Sequence, residues 1–491
     1  MEGWGPGAAA PAEGPCLRRR GIQIKTKYRP MKKITQILTL LAVAFAVSSC
    51  GQKTTVELYD FPAEYEASQM WSVKCGGEEV FVTPTEEPHL ASLGCDGKVK
   101  LTVEYLAGEV EKVDVRPIAK NYPYKVKGNR ITIELEPYQK AVIEVNGDLV
   151  NPLFIFANPL EKRPDRNDEN VIYLEAGKIH EGDSLTLHTN QHLYLEGGAV
   201  LKGYLLASHA DNIKVSGPGY VDARHKGLGN RALLFEYCNG VELEDFMIIN
   251  KNWWTCVLCV CNDVQMTNYK SVAPPSDNGH GHENDGVDIL GGQNITLDHC
   301  FSYCHDDAFV VKSRKWDWGA AVKNVEFNDC IGWNVHAGTT FEIGWCCGED
   351  ITDIRYNDIY AVHSGSRGRW YNAALAIHNA SKGVVSGIVY NNVHIEDPQR
   401  YLFHVSITES HFNIGTGVKW APGKIHDVTY NNIHVYKAAP EKDGSQFYGW
   451  NDEFDIQNVL FKNVYIEGKK VTSLEDLNVT KMQHAKNFRF E

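Results

Sequence analysis

Nine segments of the chain repeat one pattern, and this repeat limits the possible folds more than any other feature. They read NIKVSGPG, GVELEDFMI, DVQMTNYKS, NITLDHCFS, NVEFNDCIG, DIRYNDIYA, GIVYNNVHI, DVTYNNIHV and NVLFKNVYI. Each opens with Asn, Asp or Gly, continues with Val or Ile, and in most copies places further apolar residues two and five positions on. The Val or Ile falls at 213, 241, 264, 295, 325, 354, 388, 428 and 459. Apolar residues with period two mark strands, and Asn, Asp and Gly mark turns. One strand-turn module per unit of this size predicts a solenoid. No helical period lies between copies, which disfavours α/β repeats. The expected fold class is all-β: a right-handed parallel β-helix over 165–491.

The repeat also explains most cysteines. Cys300 and Cys330 share a position with Phe246, Tyr269, Ile359, Val393, Ile433 and Val464, so they are expected to pack as small hydrophobes in an internal ladder. CVLCVC (Cys256, Cys259, Cys261) has no second Cys or His pair at ligand spacing, and no metal or other cofactor is expected. The region 54–160 lacks the repeat. KVKLTVEYLAGEVEKVDVRP and NRITIELEPYQKAVIEVNGD read as alternating strand pairs, predicting a small β-sandwich ahead of the solenoid. Asn158–Asn170, polar and Pro-containing, reads as a linker.

MKKITQILTLLAVAFAVSSCGQ, beginning at Met31, reads as a targeting segment. A Lys-Lys start precedes a mainly apolar stretch, Ile34–Ser49, that is short for a membrane span. VSSC resembles a bacterial lipobox, which makes Cys50 the expected lipidated residue. Residues 1–49 then form an upstream extension and signal peptide, and the expected address is the bacterial cell envelope, with membrane contact only through the lipid. Net charge is −13, and the first 49 residues contribute +6, which leaves −19 on the remainder. An acidic body argues against nucleic acid as the partner.

ENDGVDILGGQNITLDHCFSYCHDDAFVVKS (Glu283–Ser313) concentrates aspartates around two short apolar strands. Asp285 opens one strand and Asp306–Asp307 open the next, about one coil later. Single Asp residues cap turns, which suffices for Asp298. Three packed carboxylates cost repulsion, and such clusters persist where protons are shared between an acid and a base. Glycoside hydrolysis needs such a set.

NDGVD, then HDDAF, then HAGTTFEIG resembles glycoside hydrolase family 28, the polygalacturonase-like β-helix enzymes. The front sandwich and IGWNVHAGTTFEIGW resemble the dextranase-like family 49. The resemblance implies an inverting hydrolase of a poly- or oligosaccharide, with Asp306 as general acid and Asp285 and Asp307 activating water. His336 corresponds to the family histidine, with His305 and His282 as rivals. Candidate substrate contacts are Arg369 in RGRW, the nearest match to the family's Arg-x-Lys clamp, together with Trp316, Trp345 and Glu342. The missing Lys of that clamp and the tryptophans Trp253, Trp254, Trp318, Trp333 and Trp370 leave a neutral glucan as an alternative substrate, since aromatic faces stack on sugar CH groups. A Ca²⁺-dependent lyase and a non-catalytic glycan-binding solenoid are the remaining alternatives.

Overall fold

The computed structural model describes residues 44–49, 52–85, 87–223, 231–250, 253–273, 284–313, 318–334, 337–365, 371–409 and 420–491. Among them there is no α-helix; one short 3-10 turn spans Ile118–Lys120. From Val171–Leu174 to Ala485–Phe490, 27 strands form one continuous, almost wholly parallel sheet wound on itself. This is a parallel β-helix, and its register is the one the repeat implies. Ile213 pairs with Val241, then Val264, Ile295, Val325, Ile354, Ile388, Val428 and Val459 in unbroken succession.

The residue opening each repeat explains that regularity. Asn212, Gly240, Asp263, Asn294, Asn324, Asp353, Gly387, Asp427 and Asn458 all have positive φ, between 53° and 68°. A corner in the left-handed region excludes most side chains and favours Asn, Asp and Gly. The side chains also bond from coil to coil: Asn324 Nδ2 donates to Asn294 Oδ1 at 2.9 Å, and Asn294 Nδ2 to Asp263 Oδ1 at 2.9 Å. The internal ladder is as expected. Phe246, Tyr269, Cys300, Cys330, Ile359, Val393, Ile433 and Val464 are all buried in one core. Tyr356, Tyr390 and Tyr430 stack beside it at 4.7 and 5.1 Å.

Two mainly antiparallel sheets precede the β-helix and share a core that includes Val73, Leu101, Ile133, Leu93, Ile143 and Ile155. The strands lie where the alternation places them, but their partners differ from the adjacent pairs expected. Val99–Tyr105 pairs with Arg130–Leu135, and Val113–Arg116 with Lys140–Val145. The two strands of each segment fall in different sheets, so that two apolar faces meet. Leu153–Asn158 is buried on both sides: Leu153 and Ile155 enter the front core, while Phe154 and Phe156 pack on Tyr220, Phe301, Tyr303 and Trp333 of the β-helix. Trp333 therefore belongs to this seam and flanks no groove. Asn158 is no linker residue either. Its Oδ1 accepts from the buried Lys270 Nζ at 2.6 Å.

A charged cluster closes the same seam. Arg116 bonds Glu144 and Glu396, each at 2.8 Å, and His363 bonds Glu144 at 2.7 Å and Asp397 at 3.0 Å. Burial works against charge on His363, but Asp397 and Glu144 outweigh it and raise its pKa. A raised histidine stabilises the fold fully below its unfolded pKa of about 6.5, and the benefit is lost as pH rises through the folded value. Thermal melts should therefore show wild type losing more Tm than His363→Gln between pH 6 and 9. Parallel curves would remove His363 from the stability balance.

Of the expected signal segment, only Ala44–Ser49 is described, where it pairs antiparallel with Gln52–Leu58. Cys50 lies outside the described residues, and no described helix is long and apolar enough to cross a membrane.

Candidate active site

Strands Val287–Asp298, Phe309–Lys312, Phe341–Trp345, Ala373–Asn379 and Tyr401–Ile407 stack on one side of the β-helix. Their inward ladder, Val287, Phe309, Phe341, Leu375 and Phe403, is core. The alternate residues face outward: Asp288, Val310, Glu342, Ala376 and His404 in register. Three of these five are ionisable and none is exposed, which marks the face as built for more than solvation.

The aspartates sit where this face begins. Val287 opposes Phe309, so Asp307 stacks on Asp285 and Asp306 sits one residue before it. Asp285, Asp306 and Asp307 each present one carboxylate oxygen, all within 4.8 Å of one another, and all three residues are buried. Backbone contacts lock the stack. Gly286 N–H donates to the Asp307 carbonyl at 2.8 Å, Asp306 N–H to the Asn284 carbonyl at 3.3 Å, and Thr339 N–H to Asp307 Oδ1 at 2.8 Å. The Asn334 amide also donates to the Asp306 carbonyl.

Gly338 makes this approach possible. Its φ is +75°, and a Cβ there would lie 2.3 Å from the Asp306 carbonyl carbon and 2.5 Å from Asp307 N. Gly338→Ala is expected to cost about 1–3 kcal/mol of stability through overpacking and to displace the aspartate pair. Denaturant unfolding measures the first effect. An unchanged midpoint would mean that the loop yields freely.

Electrostatics divide the carboxyls. Lys312 Nζ donates to Asp285 Oδ2 at 2.9 Å and also bonds Asp288, while it sits 3.9 Å from the centre of the Trp254 ring. Burial opposes its charge, but Asp285, Asp288 and Asp307 hold the ammonium well above its usual range. Asp307 moves up: burial, then the Glu342 and Asp285 carboxylates, raise its pKa well above the carboxylate range. Burial pushes Glu342 up to about 7. Among the described residues the Lys312 ammonium therefore sits among five carboxyls, with protons retained near neutral pH, and the Arg231 guanidinium lies 5.2 Å from the centre of the same Trp254 ring. Three clustered oxygens also suit a divalent cation, but the Lys312 ammonium already supplies the counter-charge, and the arrangement suits proton exchange better.

Other candidates lie in varied surroundings. Glu342 is fully buried, with one oxygen taken by His378, so it stands beneath the place where a sugar contact was expected. Trp345 stacks on His378 at 4.3 Å and meets Tyr371 edge-on at 4.8 Å. Trp254 and Trp318 stack at 6.4 Å on the other side of the aspartates, with Trp253 packed in the same cluster. His305 is buried beside Asp306. His282, Trp316, His336, Arg369 and Trp370 lie outside the described residues. Sequence reasoning missed Lys312, His378 and His404. The available signal was a single ionisable residue at an outward position of an apolar strand, as in AFVVK and ALAIHNA.

A parallel β-helix with an aspartate cluster on one sheet face defines the kind of molecule. The match to the family model described as glycosyl hydrolases family 28 covers residues 208–485. The chain belongs to that family. A probable endopolygalacturonase D of Neosartorya fischeri is 22% identical over 213 residues, which is 43% of this chain and 41% of that relative's length. In structure, the chain is similar to Dex49A from Penicillium minioluteum, with TM-score 0.65 and 14% identity over 91% of this chain and all of that one. That extent takes the fold likeness past the β-helix into the front sheets. A polygalacturonase from Erwinia carotovora ssp. carotovora superposes with TM-score 0.49 and 16% identity over 65% of this chain and 89% of its own.

Proposed function

We propose that this chain is a glycoside hydrolase that cleaves a glycosidic bond of a poly- or oligosaccharide. Asp306 acts as general acid and Asp285 and Asp307 activate water. The observation that carries this reading is the meeting of three buried carboxylate oxygens within 4.8 Å. Inversion at the anomeric carbon is part of the proposal and rests on family membership. The nearest oxygens are closer together than the about 6.5–9.5 Å typical of inverting enzymes, so distance does not argue for it. The test is a glycan panel containing polygalacturonate and dextran, with the product anomer followed by NMR. No turnover on any glycan would sink the hydrolase reading, and a retained anomer would sink inversion alone.

A neutral glucan is a second reading, favoured by a specific observation. The strand stacked on Glu342 offers Ala376 and His378, with no Arg or Lys, and Lys312 is already engaged by two aspartates. Among the described residues, a uronate carboxylate entering beside Glu342 meets mainly negative charge, with Arg231 a further cation over Trp254 and Trp318. Dextran cleavage without polygalacturonate cleavage is the expected pattern under this reading.

The address is a further part of the proposal: residues 1–49 as a signal segment and Cys50 as a lipidated terminus in the cell envelope. Palmitate labelling that survives Cys50→Ala would exclude it. We also read the two front sheets as a sandwich domain over 54–160 and the β-helix as a right-handed catalytic domain over 165–491.

A further inference from the structure

Two histidines stand in line behind Glu342. Glu342, His378 and His404 have no exposed surface. His378 Nδ1 lies 2.7 Å from Glu342 Oε1, and His378 Nε2 lies 2.7 Å from His404 Nδ1. Burial holds His378 down to about 3 and His404 well below its ordinary range. Both rings are therefore neutral at working pH, and a neutral imidazole carries one N–H. If His378 Nδ1–H donates to Glu342, its Nε2 must accept, and His404 Nδ1–H must be the donor. Both hydrogens then point toward Glu342. Such a series suits a carboxylate that receives protons and fixes its orientation.

The second oxygen has a different environment. Glu342 Oε2 is buried with no donor at normal hydrogen-bond distance among the described residues, a costly state for a carboxylate. Besides His378, the Asp307 carboxyl and Thr339 hydroxyl are the polar side chains that approach the Glu342 carboxyl. The groups around Glu342 are Asp307, Lys312 and Asp285 on the preceding coils, Thr339 on its own, and His378 on the next. Asp307 is near enough for Glu342 to raise its proton affinity.

We propose that Glu342 is a positioning residue for Asp307: the oxygen not bound by His378 shares one proton with the Asp307 carboxyl, and the His378–His404 pair holds it there. This rests on the hydrolase reading for its role in turnover. In the form that has lost the shared proton to solvent, Asp307 takes a proton from the attacking water as the water oxygen bonds the anomeric carbon. The glycosidic C–O electrons leave with the departing oxygen, which takes the Asp306 proton. The proton on Asp307 is then shared with Glu342, and it returns to solvent as Asp306 reloads.

The test separates the two readings. In the full chain without substrate, infrared spectra taken from pH 5 to 9 should show a protonated-carboxyl band that disappears around neutral pH. The component that titrates around neutral pH should be absent from both Glu342→Gln and Asp307→Asn, while the protonated Asp306 carboxyl keeps its own band. On a cleaved glycan, Glu342→Gln should move the pH profile of kcat/KM to lower pH by about one unit, the size of a close like-charge effect, and Glu342→Asp should partly restore it. A profile that keeps its position while kcat falls would assign Glu342 a purely structural role and overturn the proposal. So would a component titrating around neutral pH that survives unchanged in Asp307→Asn, a result that stands even if Glu342→Gln does not fold. If the band behaves as stated but no glycan is cleaved, proton sharing stands and the hydrolase reading fails.

Discussion

Asp306→Asn should lose about 10²–10⁴-fold in turnover, the usual cost of removing a general acid or base, with Tm close to wild type. The amide is nearly isosteric with the carboxyl, and the position of residue 306 is held through its backbone by Asn284 and Asn334. The substitution therefore removes a proton donor and leaves the stack in place. Asp298 provides the control. It lies at the end of the same strand as Asp288, but on the solvent side, paired with His299 at 2.8 Å. Asp298→Asn should be close to silent in both activity and stability. Steady-state rates on a cleaved glycan, with melting curves for both variants, decide the matter. Wild-type turnover in Asp306→Asn would return the aspartates to turn capping.

Lys312→Met should produce the largest loss of stability. The ammonium is the partner of Asp285 and Asp288, and all three residues are buried. Removing one side of a buried ion pair leaves uncompensated charge and costs about 3–5 kcal/mol. The loss should be greatest near neutral pH and shrink in acid, where the stranded carboxylates bind protons. Urea unfolding at pH 7 and pH 5 measures both effects. A variant as stable as wild type at pH 7 would show that the aspartates neutralise each other without the lysine. Adding Asp288→Asn to Lys312→Met should recover part of the loss, since it removes one of the two stranded charges.

Part of this molecule could be read from residue order alone, because some of its constraints are local. A left-handed corner accepts few residue types, so Asn, Asp and Gly at repeat openings reveal both the coil and its register. Coil length fixes which residues stack, and this brings Asp285 beneath Asp307. Asn158, Trp333 and Lys312 were beyond such reasoning. Asn158 and Trp333 look like linker and groove residues in sequence, but both belong to the seam between front sheets and β-helix, Asn158 bonded to Lys270 and Trp333 packed on Phe154. Lys312 reaches back 27 residues to Asp285, and His378 reaches 36 back to Glu342. Those contacts depend on loops of variable length between coils, so no fixed spacing announces them. Period-two alternation indicates which residues face outward. Only the folded stack determines which outward residues are buried together, and burial at low dielectric turns a row of ordinary Lys, His and Glu side chains into a site that holds protons.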